Sequence, residues 1–233
     1  MALGGQARQI IAALASAIAT SAFPADVPEG WQFLKLTDKK KPTIYRLVTD
    51  GDRQVVHARA EASASGLYKA AGFNITERPV ASWAWKVSAL IANADNSKAS
   101  RDDSPARIVL SFEGDRDKLP LLDQAVMWLA KRLYGRDLPY ATLMYIWSNE
   151  APVGTVIANP HTRRIQMIVA SSGAGGVSAW QELSRDVADD YRRAFGEEPG
   201  RLFAYGFLSD TDNTGEAVEA WYGEIEFRKG PGG

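Results

Sequence analysis

The sequence predicts a mainly β protein, an antiparallel jelly-roll-like β-sandwich with two inserted or peripheral helices. Short runs rich in β-branched and aromatic residues recur along the chain, and turn residues separate most of them. Only two segments have helical periodicity, and they do not alternate with the strands as βαβ units would. These observations favour a sandwich over a doubly wound parallel sheet. A single domain over residues 26–233 is the simplest organisation.

Residues 1–25 have the pattern of a secretory signal peptide. One arginine precedes an apolar run from Ile10 to Ala22, and small residues follow before Pro24. The run is too short to span a bilayer, so no transmembrane segment is expected in the mature chain. The alternative is an amphipathic helix, since the isoleucines and Leu14 could share one face. We expect a periplasmic or secreted protein, with a cytoplasmic location as the alternative.

Ten segments after residue 25 have the composition of strands. Asp50-Gly51-Asp52 separates the second from the third and predicts a hairpin, because an Asp-Gly pair suits positive φ. The two runs beside it are therefore expected to pair antiparallel. The ten segments are WQFLKL, TIYRLVTD, RQVVHARAEA, VASWAWKVS, ARIVLSFEG, ATLMYIW, TVIANP, RIQMIVAS, RLFAYGFLS and AVEAWYGEIEF.

Two further segments predict helices packed on the sheet or across one of its ends. Each ends in a glycine suited to a helix C-terminus, Gly135 in the first and Gly196 in the second. Residues 117–135 place Leu122, Val126, Leu129 and Leu133 on one face, and residues 177–196 do the same with Trp180, Leu183, Val187, Tyr191 and Ala194.

Composition argues against several classes of function. The chain has 27 basic and 28 acidic residues, spread along its length, and so lacks the basic field that a nucleic acid requires. It has no cysteine, which excludes disulfides, thiolate metal sites and cysteine nucleophiles. With only two histidines and no G-x-S-x-G motif, a Ser-His-Asp hydrolase is not expected.

Aromatic and polar residues supply the candidate ligand-binding positions. Trp83 with Trp85, and Tyr145 with Trp147, alternate so that each pair leaves one face of a strand. Such pairs are typical of a sandwich core, but in a cleft their rings would suit the apolar faces of sugars. Asp, Asn and Arg would bond the sugar hydroxyls. The candidates are Trp85, Tyr145, Trp147 and Trp180 for stacking, and Asp102, Asp103, Arg107, Asn159, Arg163, Arg185, Asp186, Asp210, Asp212 and Asn213 for polar contacts.

The loop that contains Asp210 and Asp212 begins with the spacing of an EF-hand. Thr214 and Trp221 occupy positions five and twelve, where a calcium loop needs oxygen ligands that include a closing glutamate, so it is not an EF-hand. An Asx-type turn is the default interpretation. Two nearby carboxylates still need neutralisation, so we predict that Asp210, Asp212 or Asn213 contacts Arg107 or Arg185. A calcium ion is the alternative neutraliser, and no cofactor is firmly predicted.

Seven sequence words, in order, resemble a bacterial family known as the domain of unknown function 3047 family. They are SASGL, WAWKV, RDDSPARIVLSF, LMYIW, NPHTRR, WQELSRDVADDYRRAFGEEP and DTDNT, between about Trp31 and Phe227. The resemblance implies an exported or periplasmic protein with a jelly-roll-like sandwich similar to glycan-binding modules. It implies no established activity.

Three functional hypotheses follow. The first is a module that binds a polysaccharide or cell-wall glycan through the aromatic and polar candidates. The second is a glycan-acting hydrolase or lyase that uses two carboxylates from Asp102, Asp103, Asp186 and Asp210, separated by roughly 5 to 9.5 Å. The third is a structural envelope protein in which the same polar residues form a buried Asp–Arg network that fixes loops around the sandwich.

Overall fold

Two β-sheets packed face to face form the protein. The structure, a computed structural model, describes residues 27–134, 138–160 and 162–230, so the predicted leader lies outside the described residues. The mainly β, jelly-roll-like sandwich with two α-helices is confirmed within them. No helix in this described part has the length and apolar composition needed to cross a membrane.

The larger sheet has seven strands within the described residues. In spatial order they are β1 (Trp31–Lys35), β4 (Ala64–Asn74), β11 (Arg201–Asp210), β6 (Ser104–Phe112), β7 (Ala141–Ser148), β9 (Ile165–Ser172) and β8 (Val156–Ala158). Neighbours pair antiparallel, except that β7 and β9 run parallel.

The smaller sheet contains β10 (Gln181–Asp186), β5 (Val80–Val87), β12 (Ala217–Tyr222), β3 (Arg53–Glu61) and β2 (Ile44–Asp50) in that order, and β13 (Glu226–Arg228) also pairs with β5. All of its pairs are antiparallel. Asp50 lies opposite Arg53, and Gly51 between them has a φ of 65°. The predicted hairpin is therefore present.

Aromatic side chains join the two sheets. Trp83 of β5 stacks on Tyr145 of β7 with ring centroids 4.9 Å apart, and the centroids of Trp85 and Trp147 are 6.1 Å apart. The indole N–H of Trp85 donates to the hydroxyl of Ser171 (3.0 Å). Strand alternation therefore directs these aromatic residues into the core.

The second predicted helix is shorter than expected. Residues 181–186 form β10 on the edge of the smaller sheet, and α2 begins only at Val187 and ends at Phe195. The Asp186 side chain caps its first turn by accepting from the backbone N–H of Asp189, and Gly196 ends it in the left-handed region, as predicted. Residues 181–186 pair with β5, and this tertiary contact overrides their helical periodicity. Leu183, which the helical pattern would bury, also packs on the core from this edge strand.

The first predicted helix is present as α1 (Leu121–Tyr134), between β6 and β7, but its predicted packing face is wrong. Leu122 and Leu129 are 74% and 48% exposed, and Met127 is buried instead. Gly135 and the side chains of Val126 and Leu133 lie outside what is described. Periodicity identifies the residues that share a helical face, whereas the position of the neighbouring sheet decides which face is covered. Three short 3-10 turns, Ile75–Glu77, Arg116–Lys118 and Ala174–Gly176, complete the connections.

Candidate functional site

Several predicted polar residues meet where β6 begins and β11 ends. Arg107 Nε lies 2.8 Å from Asp210 Oδ1, and its Nη2 lies 3.0 Å from Asp210 Oδ2. The same Nη2 donates to the carbonyl and the carboxylate of Asp102, at 2.9 and 3.0 Å. The Arg107 side chain is only 3% exposed. The predicted contact between the acidic loop and Arg107 is therefore present.

Asp103 and Asp102 fix the loops around this ion pair. The carboxylate of Asp103 accepts from the backbone N–H and side-chain amide of Asn213 (3.2 and 3.0 Å) and from the N–H and hydroxyl of Thr214 (both 2.7 Å). The amide of Asn159 donates to Asp102 Oδ2 (3.2 Å). These bonds tie two other chain segments, at Asn159 and at Asn213 with Thr214, to one carboxylate pair. We name the assembly of Asp102, Asp103, Arg107, Asn159, Asp210 and Asn213 the Asp–Arg network.

Burial controls the charges in the Asp–Arg network. Desolvation raises the pKa of Asp210 to about 7 against the opposing effect of Arg107, and the nearby carboxylates of Asp102 and Asp103 add to the rise. Desolvation opposes the charge of Arg107 as well, but the attraction of Asp210 and Asp102 outweighs it and raises the guanidinium pKa. One permanent positive charge is therefore shared by two carboxylates.

Two basic side chains lie against this acidic cluster. Carboxylate oxygens of Asp103, Asp210 and Asp212 lie within 4.8 Å of one another. Asp212 Oδ2 is 2.6 Å from the Lys40 ammonium, while its Oδ1 is buried without a hydrogen-bond partner among the described residues. Arg107 makes the contact that the sequence predicts for an arginine, and Lys40 adds a second positive charge.

The centre of the Asp–Arg network, formed by Asp103, Arg107 and Asp210, is closed rather than open. Asp103 and Arg107 are 1% and 2% exposed, and Asp210 is 7% exposed. Little of their surface remains for the hydroxyl groups of a ligand. The arrangement corresponds to the structural hypothesis, in which these residues hold the loops at one end of the sandwich.

Three predicted stacking residues have no surface from which to stack on a sugar. Trp85 and Tyr145 are fully buried, and Trp147 is 1% exposed. The rings pack between the two sheets, which is the core alternative of the sequence analysis. Among the predicted aromatic residues, Trp180 differs because it remains partly exposed.

Three predicted polar residues lie away from the Asp–Arg network. Arg185 pairs with Asp190, at 2.8 and 2.6 Å, and Asp190 also accepts from the hydroxyl of Tyr145 (2.9 Å). Asp186 caps α2. Arg163 is exposed, and its side chain makes no ion pair or hydrogen bond within the described ranges. The predicted positions thus do not form one common site.

An open row of side chains, which sequence reasoning missed apart from Trp180, crosses the outer face of the smaller sheet. Lys86 lies opposite Trp221, Trp221 opposite His57, and His57 opposite Arg46 on four neighbouring strands. Their chain neighbours Trp85 and Tyr222 are buried, so strand alternation directs the row outward. Trp180 extends it at one end, with its ring 5.5 Å from Lys86 Nζ. We call Trp180, Lys86, Trp221, His57 and Arg46 the outer row.

Electrostatic and ring contacts order the outer row. Lys86 Nζ lies 4.5 Å from the ring centroid of Trp221, and the His57 ring stacks on the same indole with centroids 5.0 Å apart. Asp50 accepts from both Lys86 (2.6 Å) and the indole N–H of Trp180 (2.7 Å). These two bonds lower the pKa of Asp50, with Lys86 contributing most. These contacts link four members of the row, Trp180, Lys86, Trp221 and His57, to one another.

Two shallow depressions adjoin the outer row. Arg59, Glu61, Ser88 and Glu219 contribute to the first, and Ile44, Arg46, His57, Arg59 and Glu219 line the second. The only sequence signal for this face is the alternation of outward and inward residues in β3 and β12. That signal becomes informative only when the register of the strands is known.

The family resemblance is confirmed by comparison with known proteins. The family described as "Protein of unknown function (DUF3047)" matches residues 29–226, and the chain belongs to it. No curated protein matches the sequence. The endoglucanase 3 of Trichoderma harzianum, from family GH12, is similar in structure with a TM-score of 0.47 and 8% identity over 87% of this chain and 93% of that chain. The xyloglucanase domain of NopAA from Sinorhizobium fredii, solved in complex with cellobiose, has a TM-score of 0.44 and 7% identity over 88% and 96% of the two chains.

Proposed function

We propose that this member of the DUF3047 family binds a glycan across the outer row of its smaller sheet. The observation that carries the proposal is the row itself, in which aromatic, cationic and imidazole side chains alternate on an open face. The binding hypothesis is thereby moved from the buried candidates to residues that a ligand can reach.

The chemistry of the outer row suits an amphipathic polymer. The indoles of Trp221 and Trp180 supply rigid apolar surface, and the charged groups beside them can donate to or accept from hydroxyl groups. The side chains of Arg59 and Glu219, next to the row, are 56% and 39% exposed. Neighbouring strands are about 4.8 Å apart, so the four strands from β5 to β2 span about 14 Å, enough for an extended chain of several sugar units.

The pKa values and the exposure of the carboxyl groups favour glycan binding over glycan hydrolysis. A glycosidase of the usual type needs two of them, one with a raised pKa that can act as an acid. Asp210 has a raised pKa but lies in the closed Asp–Arg network. On the open face, Arg59 lowers the pKa of Glu61 and Lys86 lowers that of Asp50. Neither environment there favours a proton donor.

Export belongs to the same proposal and rests on the pattern of residues 1–25. It would bring the outer row to polysaccharides of the periplasm or the cell exterior. Sequencing the N-terminus of protein recovered from cells tests it, and a mature chain that begins shortly after Ala22 is the expected result. A chain that retains its leader would contradict export but not glycan binding.

Affinity gel electrophoresis with soluble polysaccharides tests the binding proposal. We expect retention of the wild-type protein by at least one polysaccharide, and loss of retention in Trp221→Ala and Trp180→Ala. Trp128→Ala is the matched control, because Trp128 is an exposed tryptophan (63%) of α1, outside the outer row. Circular dichroism establishes that each variant is folded. Failure of every polysaccharide to retain the wild-type protein refutes the proposal.

A further inference from the structure

We infer that the glycan is acidic and that Arg46, at the β2 end of the outer row, binds one of its carboxylates. The inference rests on the proposed function and names the ligand class of the same site. Three observations carry it: the unpaired charge of Arg46, the combination of rings and cations in the outer row, and the charge pattern of the depression beside Arg46.

Arg46 differs from the other cations of this face in having no carboxylate partner. Arg53 pairs with Glu182 (2.5 Å), Arg59 with Glu61 (2.5 Å) and Lys86 with Asp50 (2.6 Å). Arg46 is exposed and makes no ion pair or hydrogen bond with its side chain in the part of the chain that is described. A guanidinium carries five N–H donors in a planar arrangement that matches a carboxylate. Its charge is therefore available to a ligand.

His57 lies beside Arg46. The two residues are opposite one another in neighbouring strands and line the same depression. The Nε2 atom of His57 is buried and faces Glu219 Oε2 at 3.5 Å, so a ligand does not reach it. The imidazole ring forms part of the wall next to the Arg46 guanidinium, and the guanidinium is the group that a ligand can contact.

The outer row combines ring surface with charged groups. Lys86 Nζ approaches the Trp221 ring at 4.5 Å, and the ring also stacks on His57 at 5.0 Å. A neutral sugar can gain ring contacts and hydrogen bonds from this row. An anionic sugar gains in addition from the guanidinium of Arg46, which has no carboxylate partner among the described residues.

Acidic residues on the outer face of the smaller sheet determine where the carboxylate of the ligand can bind. Glu219 borders the second depression and would repel an anion close to it. Arg46 and Arg59 line the same depression, and Arg59 is already engaged by Glu61. The ligand carboxylate therefore belongs at Arg46, with exposed Ile44 (43%) beside it for contact with the apolar part of the sugar.

Calorimetric titration with an oligogalacturonide and its fully methyl-esterified form tests the inference, because the two ligands share a backbone and differ in charge. An alginate oligosaccharide serves as a second acidic probe. For the wild-type protein we expect an acidic probe to bind about tenfold more tightly than the ester, the ratio given by one exposed charge-assisted hydrogen bond. The preference should shrink in 0.5 M salt, since exposed charges are screened.

Arg46→Gln should abolish the preference and leave binding of the ester unchanged. Arg163→Gln, which alters an exposed arginine that precedes β9 of the larger sheet, should keep it. Equal affinity for acid and ester, or retention of neutral polysaccharides alone, overturns the inference while the proposed function stands. An acid preference that persists in Arg46→Gln also overturns the assignment of Arg46. Failure to bind any glycan, acidic or neutral, refutes both proposals.

Discussion

Removal of the Arg107 guanidinium is expected to destabilise the protein by about 3 kcal/mol. Arg107→Ala deletes four hydrogen bonds to Asp210 and Asp102 in a place that water does not reach, because the Arg107 and Asp210 side chains are 3% and 11% exposed. Among the residues that the structure describes, the Asp210 carboxylate then keeps one hydrogen-bond donor, the backbone N–H of Ser104 at 3.1 Å. Breaking a buried ion pair by deleting one partner costs about 3–5 kcal/mol.

The lower end of that range applies because Asp210 can take up a proton. Its pKa is already raised to about 7, so loss of Arg107 favours the neutral carboxyl instead of a permanently unpaired charge. Arg107→Ala combined with Asp210→Asn should therefore lose less stability than the sum of the two single changes.

Urea denaturation followed by tryptophan fluorescence measures this effect at pH 8, where the wild-type Asp210 is mostly ionised. Arg163→Ala is the control, and its free energy of unfolding should stay within about 0.5 kcal/mol of wild type. Folded Arg107→Ala should keep its glycan affinity. An Arg107→Ala protein as stable as wild type to within about 1 kcal/mol would refute the reasoning, and loss of glycan binding at wild-type stability would make the Asp–Arg network a ligand site.

Three further predictions follow from the same packing. The pKa of Asp210 is about 7 in the folded protein against an ordinary value of 3.8, so between about pH 4 and pH 7 the native state holds a proton that the unfolded chain has released. The contribution of Asp210 to the free energy of unfolding should therefore fall as pH rises through that window. Urea titrations at pH 5 and pH 8 should show no such component in Asp210→Asn, and an identical change with pH in the variant and the wild type would contradict the shift. Gly206→Ala should lower the free energy of unfolding by at least about 2 kcal/mol, because the alanine Cβ would overlap the Leu67 carbonyl oxygen. Gly175→Ala should change the urea midpoint little, because a Cβ at Gly175 would lie in open space. Calcium at 1 mM should leave the melting temperature unchanged relative to EDTA, since Arg107 and Lys40 already bind carboxylate oxygens of Asp210 and Asp212; a clear rise would establish a metal site.

Much of the fold was determined by local sequence. Runs rich in β-branched and aromatic residues predicted strands, and the Asp-Gly pair predicted the β2–β3 hairpin. Crowding of carboxylates predicted a contact from the acidic loop to Arg107 or Arg185, and Asp210 makes it with Arg107. Each of these follows from chemistry within a few residues, or from a charge that must find a partner. Such requirements can be read without knowing the arrangement of distant strands.

The tertiary structure alone decided which surfaces are covered. Residues 181–186 became a strand because an edge of the smaller sheet was free to pair with them, and α1 turned Met127 rather than Leu122 inward. The outer row combines residues 46, 57, 86, 180 and 221, which only the register of neighbouring strands brings together. Local periodicity determines which side chains share a face, but burial depends on a partner surface supplied by segments far away in sequence.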